Sequence, residues 1–189
     1  MGVAHMAEMG LETSVLAPVI VLLARRVRLP LDRLAVPAAA ALPLFLGVHS
    51  AVTMTMPFRE PPFWQHLGLH ALLLAAGVIF WLPVLGGRRR LSEPGRMVYL
   101  YLAMPTMDLS GVYVVLRGDA AGGLAMIVAM LPVGLTAVAI TWRWIVAEER
   151  AARATASLAE WDADERRQGG HADEHPGDVV TDVAGVQPA

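Results

Sequence analysis

Five stretches of mostly apolar residues, roughly 4–24, 34–56, 64–86, 97–117 and 120–146, constrain this chain more than any other feature. A span needs about 20 such residues to cross the roughly 30 Å hydrocarbon core of a bilayer, and each stretch is long enough. The composition agrees, with 56% hydrophobic and only 17% charged residues, far from a globular average. The expected fold is therefore an all-α polytopic transmembrane helix bundle with five spans. The first stretch is not read as a signal peptide. Its leading segment carries Glu8 and Glu12 and no basic residue, the reverse of a basic n-region, so a retained helix is expected.

Arginine placement sets the orientation, since all 15 basic residues are Arg. Arg25, Arg26, Arg28 and Arg33 follow the first span, Arg88, Arg89, Arg90 and Arg96 follow the third, and the fifth exits through Arg143, Arg150 and Arg153. These segments belong in the cytoplasm by the positive-inside rule. The other two connections hold only Arg59 beside Glu60 and Arg117 near Asp119. The expected topology is N-terminus out and C-terminus in.

After the bundle, residues 1–146, the composition shifts sharply. Residues 147–168 are rich in Ala, Glu and Arg and read as a cytoplasmic juxtamembrane helix. The Gly, Asp and Pro content of 169–189 reads as a disordered tail. His171 and His175 fall there, where nothing nearby would preorganise a metal site. A net charge of −2 gives no sign of nucleic-acid binding.

On this topology every histidine of the bundle, and nearly every internal methionine, falls toward the outer side. Helix rise of about 1.5 Å per residue converts position to depth. His5 and Met9, four apart, share a face of the first span. Met54 and Met56 lie above His49, which sits roughly 10 Å below the outer end of the second span. His66 and His70, again four apart, descend the third, with His70 near the depth of His49. Met104, Met107 and Asp108 lie deeper on the fourth span, and Met126 and Met130 lie in the outer half of the fifth. Only Met97 stands apart, at the cytoplasmic start of the fourth.

Imidazole and thioether together suit copper, and thioether favours Cu(I). With no cysteine in the chain, thiolate ligands and disulfides are excluded. Plainer readings exist for each residue. Methionine commonly fills gaps in apolar packing, and His66 follows Trp64 and Gln65 at an interface where polar tips sit. Asp108 could hydrogen-bond to Tyr113 or Thr136. Ionisable groups at membrane depth are nevertheless costly and usually face a partner or cavity, as His49, His70 and Asp108 would have to. Pro18, Pro37, Pro43, Pro83, Pro105 and Pro132 fall within the spans, each removing a backbone bond. Gly122 and Gly123 would allow close helix approach.

Several motifs carry a family resemblance over about residues 4–150. In HLGLHALLLAAGVIFWLPVLG, His66 and His70 match paired histidines, and Phe80, Trp81, Pro83, Val84, Leu85 and Gly86 match an F-W-x-P-V-L-G signature. Arg96, Tyr99, Leu100, Leu102, Ala103, Met104, Pro105 and Met107 match R-x-x-Y-L-x-L-A-M-P-x-M, and HMAEM is similar to an H-M-x-Q-H element in which His5 is retained. In these motifs the chain resembles the multi-span CtaG-like cytochrome c oxidase assembly proteins. Met9 stands in place of that element's second histidine and Glu8 in place of its glutamine. A polar E-D-Q-Q element before the last helix survives only as Asp119. The family usually has two further helices before the H-M-x-Q-H element, so the expectation is a shortened member or a misplaced start.

The resemblance implies a plasma-membrane assembly factor, not an enzyme, that helps mature a haem-copper oxidase, with copper handled at the outer face. Expected partners are oxidase subunits and the lipid bilayer, without nucleic acid; a homodimer is compatible. The candidate ligands are His5, Met9, His49, Met54, Met56, His66, His70, Met104, Met107 and Asp108. Alternatives are a copper transporter or permease, for which the cytoplasmic half offers only Met97, and a structural subunit with no metal site. A haem-binding bundle using His49 and His70 is a further option.

Overall fold

A computed structural model of the chain describes residues 3–29, 36–55, 62–86 and 90–172, and these are all-helical with no strand. Helix α1 (Val3–Leu11) passes through a π-helical turn, Glu12–Leu16, into α2 (Ala17–Arg26). Then follow α3 (Ala38–Thr55), α4 (Phe63–Leu85), α5 (Glu93–Leu116) and α6 (Ala120–Ala172). Among the described residues, four helices are long and apolar enough to cross a membrane: Val3–Arg26, Phe63–Leu85, Glu93–Leu116 and Ala120–Arg167. The second expected span corresponds to a shorter apolar helix, Ala38–Met54. Exposed positions stay apolar, as at Leu22, Leu109, Leu135 and Trp142, which is the surface that lipid covers.

The π-helical turn follows from Pro18. Without an N–H, Pro18 cannot bond to the carbonyl of Ser14, and its ring crowds that carbonyl. The helix widens just before it. Ala17 N–H reaches Glu12 O, five residues back, instead of Thr13. The Thr13 carbonyl is thereby freed, and the indole Nε1–H of Trp81 donates to it at 2.8 Å. Ser14 Oγ donates to Ala129 O of α6 at 2.6 Å, and Thr13 Oγ1 donates to Met9 O at 2.8 Å. One backbone irregularity thus bonds the first span to α4 and α6.

Close approaches reinforce those bonds. A Cβ on Gly77 would lie 3.1 Å from Ala17 Cβ and 3.2 Å from Thr13 Cγ2, so α4 lies directly against the π turn. A Cβ on Gly10 would lie 2.6 Å from Ala129 Cβ. Of the expected glycine pair, Gly123 mediates the α5–α6 approach, where a Cβ would meet Gly111 O at 2.5 Å. Gly122 instead donates its N–H to Asp119 Oδ1 at 2.8 Å. Asp119 is therefore the cap of α6.

The F-W-x-P-V-L-G segment is the packing centre of the bundle. Phe80 sits between Phe45 and Tyr99, with ring centroids 4.5 and 5.2 Å away. Tyr99 Oη donates to Phe80 O at 3.1 Å, in the turn that Pro83 disturbs. At the end of α4, Gly86 N–H closes onto Leu82 O at 2.7 Å, so tightly that a Cβ would lie 2.1 Å from that oxygen. Arg25 Nη1 donates to Leu85 O at 2.7 Å, a cation on a helix C-terminus. Pro37 differs from expectation. It precedes α3, where its missing N–H costs nothing and its carbonyl accepts from Ala40 and Ala41 at 2.8 and 2.9 Å.

The chain packs as two units, Met1–Ile145 and Val146–Ala189. In the second, α6 is exposed and carries an Arg153–Glu149 pair at 3.2 Å, four residues apart. The helix runs past Gly169 to Ala172. Adding residues to an existing helix avoids the nucleation cost, which offsets the poor propensity of Gly169 and Gly170, about 1 kcal/mol each. The remaining expected tail, 173–189, which holds His175, lies outside the described residues.

Candidate metal centre

Histidines from two elements converge at the seam between the first span and α4. One nitrogen each of His5, His66 and His70 can be chosen so that all three lie within 4.8 Å of one another. Their rings lie 5.0 Å (His5–His66), 5.3 Å (His5–His70) and 4.4 Å (His66–His70) apart between centroids. The spacing on α4 explains half of this, since residues four apart stand one above the other. The other half comes from the contacts of Thr13, Ala17, Gly77 and Trp81, which turn the His5 face of α1 toward α4.

A fourth residue completes the arrangement. His70 Nδ1 lies 2.8 and 2.9 Å from the two carboxylate oxygens of Glu12, and the pair is mostly buried, at 11% and 17% exposure. A carboxylate only accepts, so Nδ1 carries the hydrogen, and in the neutral ring Nε2 keeps the lone pair. His70 Nε2 is buried and has no hydrogen-bond partner among the described residues, and the same is true of His5 Nε2. A ligating histidine whose second nitrogen donates to a carboxylate is the usual supporting arrangement of protein metal sites.

The donor set fits a metal ion. Nitrogens about 2 Å from one tetrahedral ion lie roughly 3.3 Å apart, so the 4.8 Å envelope needs only modest side-chain rotation to close. Three imidazoles suit copper or zinc.

The other expected ligands lie elsewhere. His49 is fully buried in α3, stacked on Phe45 at 5.5 Å, with neither ring nitrogen bonded among the described residues. Its depth was expected to match His70, but it does not join the cluster. Met9 is fully buried in the core one turn below His5. Met54 is 38% exposed and lines a groove with Thr106 and Tyr113 of α5. Met56 lies outside the described residues. Met104, Met107 and Asp108 line a separate small cavity against α6. The expected Asp108 bond to Thr136 is not formed, because Thr136 Oγ1 donates to Pro132 O at 2.7 Å.

Glu12 is the residue that sequence reasoning missed. His5, Met9 and Glu12 follow an i, i+4, i+7 pattern, one helical face, so an acid below two candidate ligands was the available signal.

The fold and cluster define a class: an all-helical membrane bundle carrying a carboxylate-supported histidine triad. The family model described as cytochrome c oxidase caa3 assembly factor (Caa3_CtaG) matches residues 11–120. That is more than half of the 189 residues, and the chain belongs to this family. The match takes in Glu12, His66 and His70, whereas His5 precedes it. No curated protein matches the chain, and no solved structure does.

Proposed function

We propose that this family member takes part in assembling a haem-copper oxidase by holding copper on His5, His66 and His70 and passing it on. The observation that carries the reading is the Glu12–His70 pair. It leaves a buried, unbonded Nε2 beside two further imidazoles, a costly arrangement in an apolar bundle unless a ligand satisfies it. Copper is the cargo of this reading. Family membership supplies the client, a cytochrome c oxidase, and the three imidazoles, which suit copper, supply the ion.

In this reading the protein lies in the plasma membrane with its N-terminus outside, as the arginine distribution indicates, so the triad opens to the outer side. Helix α3, of 18 residues, is about 27 Å long and forms the second of the five spans with slight thinning of the bilayer. Because the chain has no cysteine, single cysteines placed in each connection and probed with an impermeant thiol reagent read the topology directly. Labelling of the 87–92 connection from outside the cell would refute the orientation.

Copper is tested by Cu(I) titration of purified protein against a competing chelator. One tightly held equivalent that depends on the triad is expected, lost in His66→Ala with His70→Ala. Unchanged affinity in that variant would place the copper elsewhere. In cells lacking the protein, oxidase copper content should be restored by the wild type and not by the double variant.

A further inference from the structure

We propose a second soft-cation site, separate from the histidine triad, in the seam between α5 and α6. Met104, Met107 and Asp108 of α5 and Met130 of α6 line one cavity of about 80 Å³. Positions 104, 107 and 108 follow i, i+3, i+4 spacing, which puts them on a single helical face. Met107 and Met130 are buried, while Met104 and Asp108 are half-buried. The volume exceeds what one water-sized occupant needs, roughly 15 Å³. Gly134 shapes the opposite wall. A Cβ there would lie 2.9 Å from Met104 Cε and 3.8 Å from its sulfur, so α6 leaves room for the end of this thioether.

Packing explains methionines in a seam. It does not explain the carboxylate. Asp108 faces the same cavity without a hydrogen bond from any described residue, in surroundings where a lone acid is costly. Three thioethers and one carboxylate together offer soft donors and a single compensating negative charge. That combination suits a monovalent soft cation, Cu(I) or Ag(I), and disfavours hard divalent ions. The triad, made of imidazoles alone, also accepts Zn(II) or Co(II), which the seam disfavours. The seam site stands whether or not the triad binds copper.

The experiment is Ag(I) titration of the full chain in detergent, in a His66→Ala, His70→Ala background that removes the triad. One Ag(I) equivalent is expected to remain there. Combining Met104→Leu, Met107→Leu and Met130→Leu, which nearly conserve volume, should abolish it, and Asp108→Asn should weaken it. Single Met104→Leu and Met130→Leu variants provide the milder test, each expected to lower Ag(I) affinity while Co(II) binding by the intact triad is unchanged. Full Ag(I) affinity in both single variants, or retention of the equivalent in the triple variant, overturns the proposal. Loss of Ag(I) binding from the triad-deficient background before any methionine is changed overturns it too.

Discussion

Replacing Glu12 by Gln isolates what the carboxylate contributes to the triad. The amide is nearly the same size, so packing around the π-helical turn is preserved while the charge is removed. In the native protein both carboxylate oxygens lie within 2.9 Å of His70 Nδ1. With side-chain exposures of 11% and 17%, solvent screens the contact only partly. A hydrogen bond to a charged group contributes about 1.5–3 kcal/mol and a neutral one about 0.5–1.5, so the substitution removes about 1–1.5 kcal/mol. At 1.4 kcal/mol per tenfold, metal affinity should fall about tenfold, the lower end of the usual supporting-residue effect. If the amide turns its NH₂ toward Nδ1, that nitrogen becomes the acceptor and Nε2 acquires the hydrogen, and the loss is greater. The assay is a Co(II) titration followed by visible absorption, repeated with Cu(I) by competition. A second titration in a His70→Ala background completes a double-mutant cycle. There Glu12→Gln should have no further effect, since the carboxylate acts through His70. Unchanged affinity in folded Glu12→Gln protein would refute the reasoning, as would an equal loss in both backgrounds.

Other outcomes follow from the same geometry. Trp81→Phe leaves the Thr13 carbonyl without its donor, which should destabilise the bundle by about 1–3 kcal/mol, read from thermal unfolding in detergent, and should weaken metal binding secondarily. His49→Leu should leave Co(II) affinity unchanged, because this ring stacks on Phe45 outside the triad; a large loss would show that His49 is a ligand. Metal affinity at the triad should fall as pH is lowered and recover as it is raised, since protons compete for the same nitrogens. Proton release on Co(II) binding, measured in weakly buffered solution, checks the sign.

The motifs separate into two kinds of work. Phe80, Trp81, Pro83 and Gly86, together with Tyr99, make stacking contacts, backbone bonds and a close turn. They set how α4 lies against its neighbours. His70 and Trp81 are eleven residues apart, about three turns, so the bond from Trp81 to the π turn fixes the same helix face that presents His70. The signature thus supports the site without joining it.

The sequence by itself determined that this chain forms apolar helices, that their prolines and glycines would interrupt or tighten them, and that His66 and His70 would stand one turn apart. It also gave each ligand a depth, because rise per residue is nearly constant. Depth is one coordinate only. How each helix is rotated about its own axis depends on contacts between helices, and those exist only in the packed bundle. The tertiary structure therefore decided that His5 faces α4, that Glu12 rather than His49 accompanies His70, and that Met104, Met107 and Asp108 face α6. Those choices follow from the widened turn before Pro18, the Trp81 bond to the carbonyl it freed and the absence of a side chain at Gly77.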